Sequence, residues 1–451
     1  MRLPQRPPSL SEMMGKLDQG DFARVLAKMG SLDQERYLHW DELRRRRPPD
    51  GLSEEEWWLG THMLRTAISR LLPLYDKGGH PFRFNVPNEA QIHLHHIDRD
   101  AAGSIEAVSG APTVQSQQQY LRSSLIEEAI TSSQLEGAST TRRVAQAMLR
   151  EERKPRDHSE QMIFNNHLAM SYIREKRPDK LTPEFVLELH RMLTVGTLAD
   201  PQDEGRLRRA DDVQVVDNRD GTILHQPSGW VSLPERLQIL CDFANQTELT
   251  GAFLHPVLRA ILLHFMIGYD HPFVDGNGRV ARALFYWAMA RDGYWLMEYV
   301  SISHILRKAP SQYVRAYLYT ETDNNDTTYF LLHQLATIRR AIEALHDYLS
   351  RKGQEQKETE RMLASHALRG RFNHRQIALL GHALRNPEEP FRVDVHQQSH
   401  SVVYQTARSD LIGLVDIGLL ERVVQGKVHL FYPVSDLQMR LKGLGLLAAA
   451  G

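Results

Sequence analysis

The sequence predicts a mainly α-helical protein carrying two small β-hairpins, and three observations support that prediction. Residues 255–270 read HPVLRAILLHFMIGYD, with Val257, Ile261, Phe265 and Tyr269 at i, i+4 spacing and Leu258, Leu262 and Met266 in a neighbouring stripe. Apolar residues over so much of the circumference describe a buried central helix. A second helical pattern begins at Arg279 and runs through Val280, Ala283, Leu284, Trp287 and Ala288. A period of two is confined to short stretches. Val213 and Val215 alternate with polar neighbours before an Asp220-Gly221 turn and Thr222-Ile223-Leu224, and Val423–Tyr432 reads as a hairpin turning at Gln425-Gly426.

The chain has 451 residues, enough for two or three domains. A formal net charge of -1 gives no bulk electrostatic reason to expect a nucleic-acid or acidic partner. The single cysteine, Cys241, excludes an internal disulfide framework and fits a cytoplasmic protein. No run approaches the ~18 apolar residues of a membrane span. The N-terminus, MRLPQRPPSL, lacks the apolar core of a signal peptide.

Residues 1–115 form an N-terminal region of short amphipathic pieces. Ser53 with Glu56 three residues on predicts a capped helix start, and Trp57-Trp58 reads as a packing pair. The stretch 81–115 reads as irregular structure or short strands. Its His93, His95, His96 and Asp98 occupy adjacent and alternate positions, which do not converge on one helix face as a metal site requires. Leu121, Leu125, Ile130 and Leu135 predict a helix that Gly137 stops, followed by one capped near Ser139-Thr140. Two more helices follow, the second with Thr182 as cap and Pro183 in its first turn. Asn165, Asn166 and His190 read as satisfied polar groups of the core. Residues 320–326 read as a capped acidic turn, and 351–370 as a charged linker or helix. Residues 371–440 suggest helices followed by a hairpin.

Between the two central helices lies His271-Pro272-Phe273-Val274-Asp275-Gly276-Asn277-Gly278-Arg279-Val280-Ala281-Arg282. Gly276 and Gly278 permit backbone angles and close approaches that a Cβ would obstruct. The first N–H groups of the following helix have no partner within it and sit at its positive end, which makes an anion site. Asp275 is a hard oxygen ligand suited to Mg2+ carried by phosphates. Arg279 and Arg282 are forks for phosphate oxygens, and His271 is placed to serve as a general base.

This stretch resembles the signature of the Fic-domain family, HPFxDGNGRxxR, and matches it at every defined position. The resemblance implies transfer of AMP from ATP to a protein hydroxyl on a helical core over 116–350. It makes His271 the base, Phe273 the buried anchor and Asp275 the Mg2+ ligand. Gly276, Asn277, Gly278, Arg279 and Arg282 become the ATP-binding residues, with Asn277 a phosphate-positioning amide and Arg282 the γ-phosphate arginine. Ser132-Ser133-Gln134-Leu135-Glu136-Gly137 resembles the family's inhibitory motif, within a helix of about 123–137. It implies that Glu136 pairs with Arg282 and blocks a productive pose of ATP.

Val213, Gln214, Val215 and Val216 resemble the family's flap, which receives the target as an added strand. Arg206 and Arg208 look like structural partners of the loop. Two local departures are Asp270, where an apolar residue usually precedes the His, and His225-Gln226-Pro227-Ser228, where the family often has His-Pro-Pro. The C-terminal part is similar to a winged helix–turn–helix, with Thr406-Ala407-Arg408-Ser409-Asp410-Leu411 at the start of its recognition helix. Its seven Lys/Arg against six Asp/Glu over 371–434 leave DNA binding and a protein-interaction or homodimer role both open. The expected function is AMP transfer to a target protein and to the enzyme itself. The alternatives are AMP removal by the same site, and a DNA-binding regulator that senses nucleotide without turnover.

Overall fold

The computed structural model describes residues 2–31, 36–49, 51–102, 114–151, 153–217, 219–246, 248–249, 252–363, 371–385, 389–425 and 428–449. Contacts divide the chain into two units, Met1–Leu345 and His346–Gly451. The protein is mainly α-helical. Among the described residues its strands form only two-stranded antiparallel sheets, and no helix is long and apolar enough to cross a membrane.

The first unit opens with α1 (Leu10–Lys16), α2 (Gln19–Lys28), α3 (Trp40–Leu43) and α4 (Glu54–Ile68). Ser53 caps α4 with the expected box: Glu56 N donates to Ser53 Oγ at 3.2 Å, and Ser53 N donates to Glu56 Oε2 at 2.6 Å. Trp58 is fully buried and Trp57 half-buried against the small core of these helices. A hairpin, β1 (Arg70–Tyr75) and β2 (Pro81–Phe84), leads into α5 (Asn88–Ala101). A 14-residue helix here corrects the irregular reading of 81–115. Its sequence hides it, because Pro87 replaces a side-chain cap and its histidines disguise the apolar stripe Ala90, Leu94, Ile97 and Ala101. Residues 103–113 of that stretch lie outside the described residues.

Next come α6 (Val114–Leu135), α7 (Arg142–Arg150), α8 (His158–Glu175) and α9 (Pro183–Thr194). Gly137, at φ 95, stops α6, and Ala138 N closes the turn on Ser133 O at 3.0 Å. The cap of α7 is Thr141, one residue beyond the expected Ser139-Thr140, because Thr141 Oγ1 reaches Val144 N. Thr182 caps α9 as expected. The hairpin β3 (Val215–Val216) and β4 (Ile223–His225) precedes α10 (Leu233–Asn245) and a second hairpin, β5 (Glu248–Leu249) with β6 (Ala252–Phe253).

Helices α11 (Pro256–Asp270) and α12 (Asn277–Arg291) form the centre. In α11 every residue but Pro256 and Gly268 is buried, and in α12 all but Gly278, Ala290 and Arg291. Full burial of a large apolar side chain is worth roughly 1.5–3 kcal/mol. Helices buried on nearly every face therefore hold the six residues between them in a fixed frame. The unit closes with α13 (Ile302–Lys308), α14 (Pro310–Thr322) and α15 (Thr328–Leu363), which continues into the second unit.

The expected boundary at 115 falls inside this unit. The acidic residues Asp323 and Asp326 are buried and accept from Tyr329 OH at 2.8 Å and Tyr37 OH at 2.5 Å. Arg65 lies over the Tyr37 ring at 3.6 Å. The N-terminal helices are thus locked to the 320–329 segment by buried polar contacts that no local pattern announces.

The second unit contains α16 (His374–Arg385), α17 (Val393–His400), α18 (Tyr404–Asp416), β7 (Leu420–Gln425), β8 (Val428–Pro433) and α19 (Leu437–Ala449). Asp410 of α18 accepts from Arg375 Nε at 2.7 Å, Asn373 Nδ2 at 2.7 Å and His396 Nε2 at 3.2 Å, which ties three helices together. The residue Gly426, expected in the turn of the second hairpin, lies outside the described residues, as does 364–370 of the charged linker.

Candidate active site

His271 is the residue at which α11 ends. Its backbone is left-handed, φ 44 and ψ 58, and its N–H closes on Ile267 O at 3.1 Å. The chain turns outward there, and Gly276 at φ 86 turns it back into α12. A Cβ at Gly276 would lie 2.8 Å from Thr194 Cγ2, so glycine is required both for angle and for room.

Three neighbours hold the loop's shape. Asn277 clasps it from within: Oδ1 accepts from Phe273 N at 3.0 Å and Nδ2 donates to Phe273 O at 2.9 Å. Arg208 holds it from one side, its Nε donating to His271 O at 3.0 Å and its N–H to Pro272 O at 2.9 Å. His190 holds it from the other. Its ring stacks on Phe273 with centroids 3.8 Å apart, and its Nε2 lies 2.9 Å from Asp275 O. Gly205 N donates to His190 Nδ1 at 3.0 Å, so Nε2 carries the ring proton. Burial pushes the His190 pKa down to about 4, against the opposing pull of its Asp275 carbonyl contact.

These contacts revise several expectations. The Asn277 side chain is buried and both its polar atoms bond the Phe273 backbone, so the amide shapes the loop. His190 is a satisfied group, as read, but what it satisfies is the loop itself. Arg206 pairs with Asp203 instead of the loop, because its neighbour Arg208 already takes the loop's carbonyls.

His271 Nδ1 donates to Gly268 O at 3.0 Å, which leaves Nε2 with a free lone pair. Burial holds the His271 pKa below the ordinary histidine value, although the Gly268 contact and the Glu136 charge work the other way. The ring is therefore neutral and able to accept a proton near neutral pH. Asp275 keeps its carboxylate half-exposed; Oδ1 accepts from Gly276 N at 2.6 Å and Oδ2 lies 3.5 Å from Arg279 Nη2. Arg279 is buried, with Nη1 donating to Leu193 O at 2.7 Å and burial lowering its pKa. Its Nε and Nη2 find no hydrogen-bond partner among the described residues.

Arg282 meets the end of α6. Nε donates to Ser132 Oγ at 2.9 Å, and Nη2 donates to Ser132 O at 3.1 Å and to Glu136 Oε1 at 2.7 Å. Burial is the largest influence on the Arg282 pKa and works to lower it, but Glu136, Tyr313 and Glu128 together outweigh it and the net shift is upward. Glu136 also presses on the first turn of α12, where a Cβ at Gly278 would collide with its Oε1.

The expected flap is shorter than its sequence pattern. Val215 pairs with His225 and Val216 with Ile223, while Val213 and Gln214 lie before the strand. Gln214 Nε2 donates instead to Gln226 Oε1 at 2.9 Å. Val216 and Ile223 are exposed. Elsewhere, Asp98 accepts from Tyr294 OH at 2.7 Å and meets His255 Nε2 at 3.0 Å, and no group of three metal-ligating side chains gathers among the described residues.

A helix N-terminus open to an anion, a neutral base beside it and a carboxylate held on its arginine make a site suited to a phosphate, on a helical domain. Residues 180–289 match the model of the Fic/DOC family. The protein adenylyltransferase Fic of Drosophila willistoni is 36% identical over 140 residues, which are 31% of this chain and 25% of the relative. That of Drosophila melanogaster is 31% identical over 198 residues, 44% of this chain and 37% of the relative. The matched segments thus span between a quarter and two fifths of these relatives' length. A Fic family protein from Desulfovibrio desulfuricans G20 aligns over 76% of this chain and 96% of its own, with 18% identity and a TM-score of 0.49.

Proposed function

We propose that this protein transfers AMP from ATP to a hydroxyl of a target protein, itself included, and that Glu136 restrains the transfer by occupying Arg282. The observation that carries this reading is the Glu136 carboxylate, 2.7 Å from Arg282 Nη2 and pressed against Gly278 at the head of α12. A helix head draws an anion by its free N–H groups and its dipole. A carboxylate placed there stands where a phosphate would bind, and takes the fork that would orient it. With Glu136 in place ATP lacks that fork, and its α-phosphorus is not held in line for attack.

The rest of the site supports in-line transfer. The target oxygen attacks the α-phosphorus while its proton passes to His271 Nε2. The bond from the α-phosphorus to the bridging oxygen breaks, and pyrophosphate leaves. The first N–H groups of α12 and the Arg279 and Arg282 guanidiniums face the phosphate charge. Asp275 offers a half-exposed carboxylate, which suits a Mg2+ that arrives with the phosphates and needs a single protein ligand. When bound, that ion would neutralise phosphate charge. The exposed edge at Val216 and Ile223 suits an extended target segment adding as a strand, which fixes register through main-chain bonds. The relatives named protein adenylyltransferase support the same activity. For the second unit we retain the winged helix–turn–helix reading, with DNA or a second copy of the chain as its partner.

The test is a transfer assay with α- and γ-labelled ATP and Mg2+, on wild type, Glu136→Gly and Glu136→Gly/His271→Ala. The expected result is label on protein from the α position only, more than ~10-fold stronger in Glu136→Gly, as release of one charge-assisted contact allows, and absent in the double variant. Label from the γ position alone would replace AMP transfer with phosphoryl transfer. ATP binding without any label would favour AMP removal or nucleotide sensing.

A further inference from the structure

The two places where the sequence departs from the pattern of the resemblance meet in the fold. Ser228 Oγ donates to Asp270 Oδ1 at 2.9 Å, and Arg236 Nε donates to the same oxygen at 2.7 Å. Asp270 is buried directly before the base. Three residues ahead of Ser228, His225 ends β4 with its buried ring between two acceptors. Nε2 lies 2.7 Å from Tyr269 O and Nδ1 2.8 Å from Glu321 Oε2. A neutral imidazole has one N–H and satisfies only one of these acceptors, whereas the imidazolium satisfies both. Tyr269 O belongs to the last turn of α11, where carbonyls lack helical partners and the dipole favours a cation.

We propose that His225, as an imidazolium paired with Glu321, is a positioning residue that locks the exit of the flap to the end of α11 and so sets the distance between a docked target strand and the His271 base. The proposal rests on the AMP-transfer reading above. Ser228 on Asp270 is the second tooth of the same clamp, and Arg208 closes it by reaching both Ser228 O and His271 O. The clamp joins the strand that would carry the target to the residue that would take its proton, and it meets the loop only at the His271 and Pro272 carbonyls, through Arg208.

The charged and titratable groups around the ring come from three directions. Glu321 faces it from α14. From α11 come Tyr269, whose ring centroid is 4.8 Å away, and Asp270, with His271 following. Lys77, in the turn of the first hairpin, donates to Gln226 O at 2.9 Å.

The test uses the full chain in the Glu136→Gly background. Glu321→Gln is the informative variant, because a glutamine amide can donate to the Nδ1 of a neutral ring. It keeps the geometry and removes the need for charge, so transfer persists. His225→Phe keeps the ring volume without a donor. We expect α-labelled self-modification to fall at least ~10-fold with ATP binding unchanged, the scale of a misplaced reactant.

Imidazole 15N shifts read the protonation directly. Both His225 nitrogens should carry a proton in the parent, and one should lose its proton in Glu321→Gln. A neutral His225 in the parent, or His225→Phe with unaltered α-labelled self-modification, overturns the proposal. If Glu136→Gly itself transfers nothing, the AMP-transfer reading fails. In that case the 15N result alone decides whether the charged clamp exists.

Discussion

A Cβ at position 278 would collide with Glu136 Oε1 and come within 3.0 Å of Arg282 Nη1, so the glycine is what allows the carboxylate and guanidinium to meet above the helix head. Arg282 is buried, and Glu136 is its only carboxylate partner among the described ion pairs. Removing Glu136 leaves Arg282 with Ser132 alone. Glu136→Gly should therefore lower the unfolding free energy of the nucleotide-free protein by about 1–3 kcal/mol, below the full value for a broken buried pair because Glu136 is partly exposed. Urea unfolding with and without an ATP analogue checks this, and the analogue should recover most of the loss as its phosphates replace the carboxylate. Unchanged stability would mean that the pair contributes nothing to holding α6 in place. At this scale the residues whose type carries their chemistry are legible from sequence: His271, Asp275 and Arg282 announce a base, a hard ligand and a fork. Asn277 and His190 do not, because what they bond is set by the path of the loop. The His190 contact with Asp275 spans 85 positions of the chain, and nothing near residue 190 signals it.

Along α6, Glu128, Ser132 and Glu136 follow one another at four-residue intervals and face one side. Ser132 and Glu136 take Arg282, and Glu128 takes the start of α13. Its carboxylate accepts from Ser301 Oγ at 2.7 Å, Ser303 Oγ at 2.5 Å and Ser303 N at 3.3 Å. Burial raises the Glu128 pKa, and the serine hydroxyls only partly offset that. A buried carboxylate held by three donors is a fixed point, and here it fixes the helix that carries Glu136. Glu128→Ala leaves those donors without an acceptor and frees α6 to shift. Basal self-modification should rise to a level between wild type and Glu136→Gly, with ATP binding unchanged, as α-labelled transfer would measure. Activity equal to wild type would show that α6 is held elsewhere. Elements are legible where one pattern dominates, as in α11 and α12. They are hidden where contacts distant in sequence decide the outcome, as in α5 and in a flap whose strand is only Val215–Val216.

Over the first unit, the buried His39, His190 and His264 and the half-buried His333 are held neutral by the same cause. Burial lowers the pKa of His39 to about 4, of His190 to about 4, of His264 to about 3 and of His333 to about 4. In the unfolded chain each titrates near the ordinary value of 6.5. Between these limits the unfolded state binds more protons, so stability rises with pH. The contribution is complete above about 6.5 and is lost as pH falls toward 4. One pKa unit is worth ~1.4 kcal/mol, so the fall from 6.5 to about 4 has a ceiling of roughly 3 kcal/mol for each of His39, His190 and His333, and the ceiling for His264 is higher. Glu128, Asp270 and Asp326 act in the opposite sense, since burial raises their pKa values and the fold takes up their protons first. They offset part of the histidine effect. The urea midpoint of the first unit should therefore drop steeply between pH 6.5 and 4. His333→Leu should make that drop shallower, because no hydrogen bond at Nδ1 is lost with the ring. A midpoint that stays level over that range, or a His333→Leu profile identical to wild type, would mean that these rings are protonated in the folded protein.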